Sequence, residues 1–360
     1  MEARSRIACG VTAMVVIGGR LLGAQALDPR QLERIEQSLL QEGKAVVALA
    51  DAAADHAPAD FTLVWHNDFL KAQSGTYVPF IVTIAPRSVR PPAALLYVRA
   101  SRPGQATTGP PDSRRRPAAT EGPVLHPFEE IYPIVLSDPP VRVARGFSLP
   151  PGDYELTVVV REREREEDRG RRRLAAVLRQ PLSVPDFATG RLATSTVILA
   201  DRLTVLDGPL PSSARLEHPY VIGGQEIQPA ADSVFRPSEE LIVVFLVYNP
   251  TLTSDKHFDL EVEYHFFRKS RAGPEDPPPA VPAGLVALPG ERYFNRTEPQ
   301  RFNPAILGPA FDPASGQPVM AGQGVRLTEF PEGEYRLVIR ITDQVSKQSL
   351  ERHVGFTVRP

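Results

Sequence analysis

From Phe61 onward the apolar residues fall into short runs rich in Val, Ile, Tyr and Phe, separated by Pro, Gly and Asp. Runs of that length, bounded by turn-forming residues, predict β-strands. FTLVW at 61–65, YVPFIVTI at 77–84, ALLYVR at 94–99 and IYPIVL at 131–136 are the expected early strands. Pro79 and Pro133 sit inside two of them. A proline has no N–H to give to a ladder, so those strands are expected at an edge or bulged at that point.

One stretch follows a different period. Residues 28–57 open with Asp28 as a capping residue and Pro29 at the first helical position, and Leu32, Ile35, Leu39 and Leu40 recur at helical spacing. Gly43 is expected to break the helix, and Ala57-Pro58 to end it. The helix is expected to pack on the first β-module.

At 360 residues the chain exceeds one ordinary core, and roughly 100 to 200 residues per domain gives two or three. With 42% hydrophobic and 23% charged residues the whole reads as globular, and 38 prolines point to many turns and strand edges. Residues 1–26 have the form of a secretory signal peptide: Arg4 and Arg6, an apolar stretch from Ile7 to Gly19, then Ala24-Gln25-Ala26. The apolar stretch is shorter than the about 20 residues that a spanning helix needs, so no membrane span is expected after its removal. Cleavage after Ala26 would also remove Cys9, the one cysteine, and with it any disulfide or thiolate metal site. A net charge of −2 gives no drive toward polyanions, which argues against a nucleic-acid partner.

The most informative feature is an internal repeat. FSLPPGDYELTVVV at 147–160 returns as TEFPEGEYRLVIRI at 328–341, with Gly152, Tyr154 and Leu156 matched by Gly333, Tyr335 and Leu337. Each copy is followed by a closing strand, LRQPLSV at 178–184 and HVGFTV at 353–358. A turn that delivers a Tyr at the start of a strand places its phenol within reach of a backbone group. Gly152, Tyr154, Gly333 and Tyr335 are therefore expected to form structural corners. The motif resembles the tyrosine corner of immunoglobulin-like and fibronectin type III sandwiches, and the L-x-P-G-x-Y stretch of transthyretin-like bacterial modules. TSTVILADRL at 194–203, PYVIGGQEIQP at 219–229, ELIVVFLVYN, FDLEVEYHFFRK and GEYRLVIRITD also resemble the β-sandwich region that accompanies the GWxTD domain of exported bacterial proteins, although the GWxTD motif is absent. That resemblance implies an exported bacterial module and carries over no functional residue.

Chemistry-bearing patterns are few. There is no G-x-S-x-G elbow, H-E-x-x-H helix, glycine-rich phosphate loop or D-x-D-x-D-G calcium loop. His66 and Asp68, two apart in a strand, could face one side and ligate a metal with a third group, against the plainer reading of an exposed strand face. Trp65 reads as core before it reads as a sugar-stacking platform. FRKSR at 267–271 is too short and mixed for a nucleic-acid patch. The run Arg161, Glu162, Arg163, Glu164, Arg165, Glu166 alternates in charge, so neither strand face is expected in a core; a solvated hairpin tip or a docking arm follows.

The expected architecture is all-β: two tandem immunoglobulin-like β-sandwich modules, at 59–187 and 194–360, preceded by the signal peptide at 1–26 and a short helical segment at 27–58. Low-complexity stretches at 101–123 and 271–284 are expected as loops within them. No catalytic, cofactor or metal residue is expected. The expected function is a non-catalytic interaction or scaffold protein of the bacterial cell envelope, periplasmic or extracellular, with an unknown protein partner. A carbohydrate-binding module is the alternative, and an enzyme with an unrecognised site the third.

Overall fold

The computed structural model describes residues 29–52, 57–86, 93–104, 126–136, 140–163, 170–211, 214, 216–270, 279–308 and 310–360, with helix side chains from Leu40 onward. The signal-peptide reading, Cys9, Asp28, the stretch 105–123, residues 271–278 and Glu164, Arg165 and Glu166 lie outside the described residues.

The chain is all-β behind an N-terminal helix, α1 (Pro29–Asp51). The first strands are β1 (Phe61–Asn67), β2 (Leu70–Lys71), β3 (Thr76–Pro86), β4 (Ala93–Ser101), β5 (Phe128–Val135), β6 (Val141–Leu149), β7 (Gly152–Glu162) and β8 (Ala175–Val184). Sheet I sets β1 and β2 beside β3 and β3 beside β6; sheet II runs β5-β4-β7-β8. The strands alternate, so Phe80, Val82 and Ile84 of sheet I meet Leu96, Val98, Leu156 and Val158 of sheet II in one core.

A second sandwich follows with β9 (Ala193–Thr194), β10 (Ile198–Val205), β11 (Val221–Ile222), β12 (Gln225–Pro229), β13 (Val234–Phe235), β14 (Glu240–Tyr248), β15 (Leu260–Lys269), β16 (Glu291–Arg296), β17 (Gln300–Phe302), β18 (Val319–Arg326), β19 (Gly333–Asp343) and β20 (Ser349–Val358). Sheet III is β11-β12-β10-β14-β18, with β9 on β14, and sheet IV is β13-β20-β19-β15-β16, with β17 on β15. Val243 and Phe245 of sheet III pack on Tyr264, Phe266, Leu337 and Ile339 of sheet IV. The two sandwiches share a pairing order, β1-β3-β6 matching β10-β14-β18 and β5-β4-β7-β8 matching β16-β15-β19-β20, and the second sandwich adds β11 and β12 beside β10 and β13 beside β20.

Three expectations change in the structure. The helix continues through Gly43 and stops at Asp51. A glycine costs a helix only about 1 kcal/mol, and the C-terminal end is held by cations: Arg99 donates to the Ala50 carbonyl at 3.1 Å and to Asp51 at 2.6 Å, and Arg179 to the carbonyls of Ala50 and Ala52 at 2.9 and 2.7 Å. From Ala45 onward the helix belongs to the body that runs to Pro360, and Val46 and Ala50 pack on Leu95, Tyr97 and Val159 of sheet II.

Pro133 lies in the edge strand β5, but Pro79 lies in β3, which is paired on both sides. The Pro79 carbonyl accepts from Asp68 N–H, so its missing donor faces the β1/β2 side, where that strand breaks at Asp68 and Phe69. The third change concerns the charged run: β7 extends to Glu162, which is buried. Its N–H donates to the Leu174 carbonyl at 2.8 Å and its carboxylate accepts from Leu174 N–H at 3.1 Å, so Glu162 is part of the sheet and not of a wet tip.

The end of the second low-complexity stretch is also pinned. Leu285 is buried against Phe267, Tyr293 and Val338 on the outer face of sheet IV, while Arg336 and Arg340 donate to the carbonyls of Val286 and Ala283.

A candidate binding cleft where the two sandwiches meet

The outer faces of sheets I and III are apolar, which a sheet tolerates only when another layer covers it. Ile81 and Ala144 of sheet I pack against Ile198, Ala200, Ile227 and Val244 of sheet III. Alongside, Leu70 and Phe69 pack with Phe187, Leu246 and Tyr248. The seam is also hydrogen-bonded. Phe69 and Thr196 exchange two bonds, Phe69 N–H to Thr196 Oγ1 at 2.8 Å and Thr196 N–H to the Phe69 carbonyl at 3.1 Å. Tyr248 accepts from Lys71 N–H at 3.0 Å, and Arg142 donates to the Pro229 carbonyl at 3.0 Å. The sandwiches are therefore joined face to face across sheets I and III.

At one end of this seam a cleft of about 560 Å³ opens between Tyr77 of β3 and the second sandwich, whose Leu206, Gly208, Pro209, Leu210, His218, Pro219, Val221 and Gly224 line it. Tyr77 can lie across its sheet because residue 146, on the neighbouring strand, is a glycine: a Cβ there would overlap the phenol oxygen. Burial pushes the Tyr77 phenol up to about 12, so it stays a donor at physiological pH. His218 Nδ1 lies 2.5 Å from Glu226 Oε1. The lining residues are mostly apolar, with the Tyr77 phenol and the His218 imidazole as the hydrogen-bonding side chains among them. Leu203 and Val205 of β10 and Leu216, within a few residues in sequence of the lining residues Leu206 and His218, are exposed.

His66 and Asp68 do come together, with Nε2 3.2 Å from Oδ2. The third group on Asp68 is Tyr220 of the second sandwich, whose hydroxyl donates to the same Oδ2 at 2.9 Å. Asp68 is buried and its Oδ1 has no partner. The Asp68 hydrogen bond holds the His66 imidazole above its ordinary value, and burial together with the adjacent carboxylate holds the Tyr220 phenol well above its own. Among the described residues no three His, Cys, Asp or Glu side chains converge as a metal site.

The corner residues lie away from the cleft. Tyr154 and Tyr335 are buried, and their hydroxyls donate to the carbonyls of Pro150, at 2.8 Å, and Pro331. Gly152 precedes its tyrosine at φ +142°, a conformation that side-chain-bearing residues rarely adopt. Arg161, Glu162 and Arg163 continue β7 between its two neighbours in sheet II: Arg161 pairs with Ala175 of β8, and Arg163 N–H donates to the Ala93 carbonyl of β4 at 3.1 Å. Trp65 is half-buried and stacks on Phe80 at 4.3 Å, so its ring faces the core. Tyr220, Thr196 and Tyr248 carry the seam, and no sequence motif marks them.

No protein-family model matches this chain, and no curated protein matches it. Among solved structures it is similar to red sea bream transglutaminase at 12% identity and a TM-score of 0.20, over 85% of this chain and 32% of that one. It is similar to trypsin-activated α2-macroglobulin from Escherichia coli at 10% identity and a TM-score of 0.21, over 87% and 16%, and to the native conformation of Escherichia coli α2-macroglobulin at 10% and 0.22, over 83% and 17%. The chain thus spans about a third or less of these proteins. Likeness at this level carries no argument about activity. No helix among the described residues is long and apolar enough to cross a membrane.

Proposed function

We propose that this chain is a non-catalytic interaction or scaffold protein of the bacterial cell envelope, exported to the periplasm or beyond, built on two tandem modules that each end in a tyrosine corner. The observation that supports this most is a set of exposed apolar side chains close in sequence to the cleft lining: Leu203, Val205 and Leu216 are 36%, 72% and 60% exposed, on a body whose sandwiches are tied together by their sheets. Exposed large apolar side chains suit a protein partner. The charged run from Arg161 to Glu166, apart from Glu162, which the sheet buries, would add a salt-dependent contact.

A photo-crosslinking residue at Val205 or Leu216, expressed in the native cell, is expected to give discrete protein adducts, with the mature chain beginning near Leu27. No adduct from either position, or an intact membrane-embedded chain beginning at Met1, would contradict the proposal. A carbohydrate-binding protein is the second reading, favoured by Tyr77 and His218, the latter paired with Glu226, lining one cleft. Retention on cell-wall polysaccharide that is lost in Tyr77→Ala would support it over the first.

A further inference from the structure

We propose that the free edge of β10 at residues 203–205 takes an extended segment of a partner protein as an added strand, with a lysine or arginine of that segment beside Asp201. This rests on the interaction reading and names, for it, the mode of contact and the chemistry of the partner.

The free edge follows from the alternation of an antiparallel ladder, in which successive residues turn their N–H and C=O to opposite sides. Ile227 of β12 donates to the Tyr220 carbonyl at 3.1 Å, so its main chain faces β11 and not β10. Leu203 is the residue opposite Ile227 on β10, and its N–H and C=O therefore face away from β12. The other end of the strand agrees: Leu206 N–H donates to the Gly224 carbonyl at 2.9 Å, so Leu206 faces β12 and Val205 before it faces away. On that far side β14 pairs with β10 only at Ile198, Leu199 and Ala200. Beyond Ala200 the strand is exposed at every residue to Val205.

An open edge is a template for an extended main chain. Leu203 and Val205 lie two apart and share a face, so the segment that fits carries apolar residues at alternate positions. Asp201 stands at the base of the edge. Partial desolvation, with Glu239 and Asp232 nearby, holds its carboxyl above its ordinary value. Arg142 is the cation that acts on it, and that guanidinium is committed to the Pro229 and Ala230 carbonyls at 3.0 and 3.4 Å. A carboxylate among carboxylates favours an incoming cation. A second copy of β10 supplies none: antiparallel pairing that sets Leu203 against Val205 also sets Asp201 against Asp207, and like charges directly opposite repel.

The test uses the whole protein and, as probe, a synthetic peptide with valine at alternate positions, threonine between them and a lysine at one end. Amide hydrogen exchange is followed by nuclear magnetic resonance. In the free protein the Thr204 and Leu206 amides, which face β12, should exchange slowly and those of Leu203 and Val205 quickly. Peptide at about 1 mM should slow the latter two severalfold. Val205→Pro removes the outward N–H without touching the β12 ladder and should abolish the slowing at Leu203, whereas Val205→Thr should keep it. Asp201→Asn should weaken binding of this peptide and leave that of a lysine-free version unchanged. No slowing at Leu203 and Val205, or equal slowing at Leu203 in Val205→Pro, overturns the proposal. So does slow exchange that needs no peptide and grows with protein concentration, which makes a second copy the occupant. In the cell, protein adducts from a crosslinker at Leu216 should be lost in Val205→Pro and kept in Val205→Thr. Adducts that persist in Val205→Pro would leave the interaction reading standing and strand addition refuted.

Discussion

Replacing Tyr335 with alanine is expected to destabilise the second sandwich by about 3–5 kcal/mol. Tyr335 is 3% exposed and its ring sits in an aromatic cluster, stacked on Phe356 at 5.1 Å and packed near Phe330 at 5.3 Å and Phe294 at 5.5 Å. Truncation to a methyl group leaves a void among rigid rings that cannot close around it. It also strands the Pro331 carbonyl that the phenol satisfies. Tyr335→Phe keeps the ring and loses only the hydroxyl, so about 1 kcal/mol is expected from it. Equilibrium unfolding in urea separates the two: a ratio of effects near one would show that the corner acts through its hydrogen bond and not through packing.

The second large effect is expected at the seam. Ile81→Asp places a carboxylate where Ile81 is 5% exposed between sheets I and III, against Ile198, Ala200 and Val244. Those neighbours are apolar and the cross-strand His66 is 56% exposed, so the carboxylate would be buried without full pairing, which costs several kcal/mol. The protein can avoid that cost by undocking, because Ile81 faces away from both sandwich cores. Separation of the sandwiches, with each still folded, is the expected result. Small-angle scattering should show a larger radius of gyration at unchanged far-ultraviolet circular dichroism. A wild-type scattering profile would mean that the seam tolerates the charge and is not tightly packed.

How far the fold was legible depends on how local each cause is. The corners at Tyr154 and Tyr335 are local: a turn, a glycine and a tyrosine within a few residues, followed by strict alternation such as Tyr335, Leu337, Ile339 and Ile341 inward in β19. The seam is not local, yet it leaves a trace. β14 reads ELIVVFLVY, apolar at nearly every position, and β3 reads YVPFIVTI. A strand with one wet face alternates, whereas a run without polar interruption has both faces covered. Val243 and Phe245 fill the second core while Val244 and Leu246 meet the first sandwich. Tyr220 gave no such signal, because its partner Asp68 is 152 residues away and only the docking of the two sheets brings them together.

Glu162 and Gly43 show the opposite error, in which a local rule was overridden. Charge alternation marks Glu162 as wet, but the strand needs one more rung and Leu174 supplies both bonds that allow its burial. Gly43 is a weak helix residue, but its penalty is small beside the packing of Val46 and Ala50 and the cationic cap from Arg99 and Arg179. The cleft beside the seam was illegible for the same reason as the seam itself: Tyr77 and His218 are far apart in sequence and neither sits in a recognisable motif.

The central claim is that the two sandwiches behave as one body through sheets I and III, and the single tryptophan gives a direct way to measure it. Trp65 lies in the first sandwich, stacked on Phe80, and reports nothing of the second by itself. Urea unfolding of Tyr335→Ala followed by Trp65 fluorescence should therefore show a midpoint shifted to lower urea than in the wild-type protein, although the substitution lies wholly within the second sandwich. A Trp65 transition unchanged from wild type, with an earlier and separate loss of circular dichroism, would show two independent modules and contradict the account.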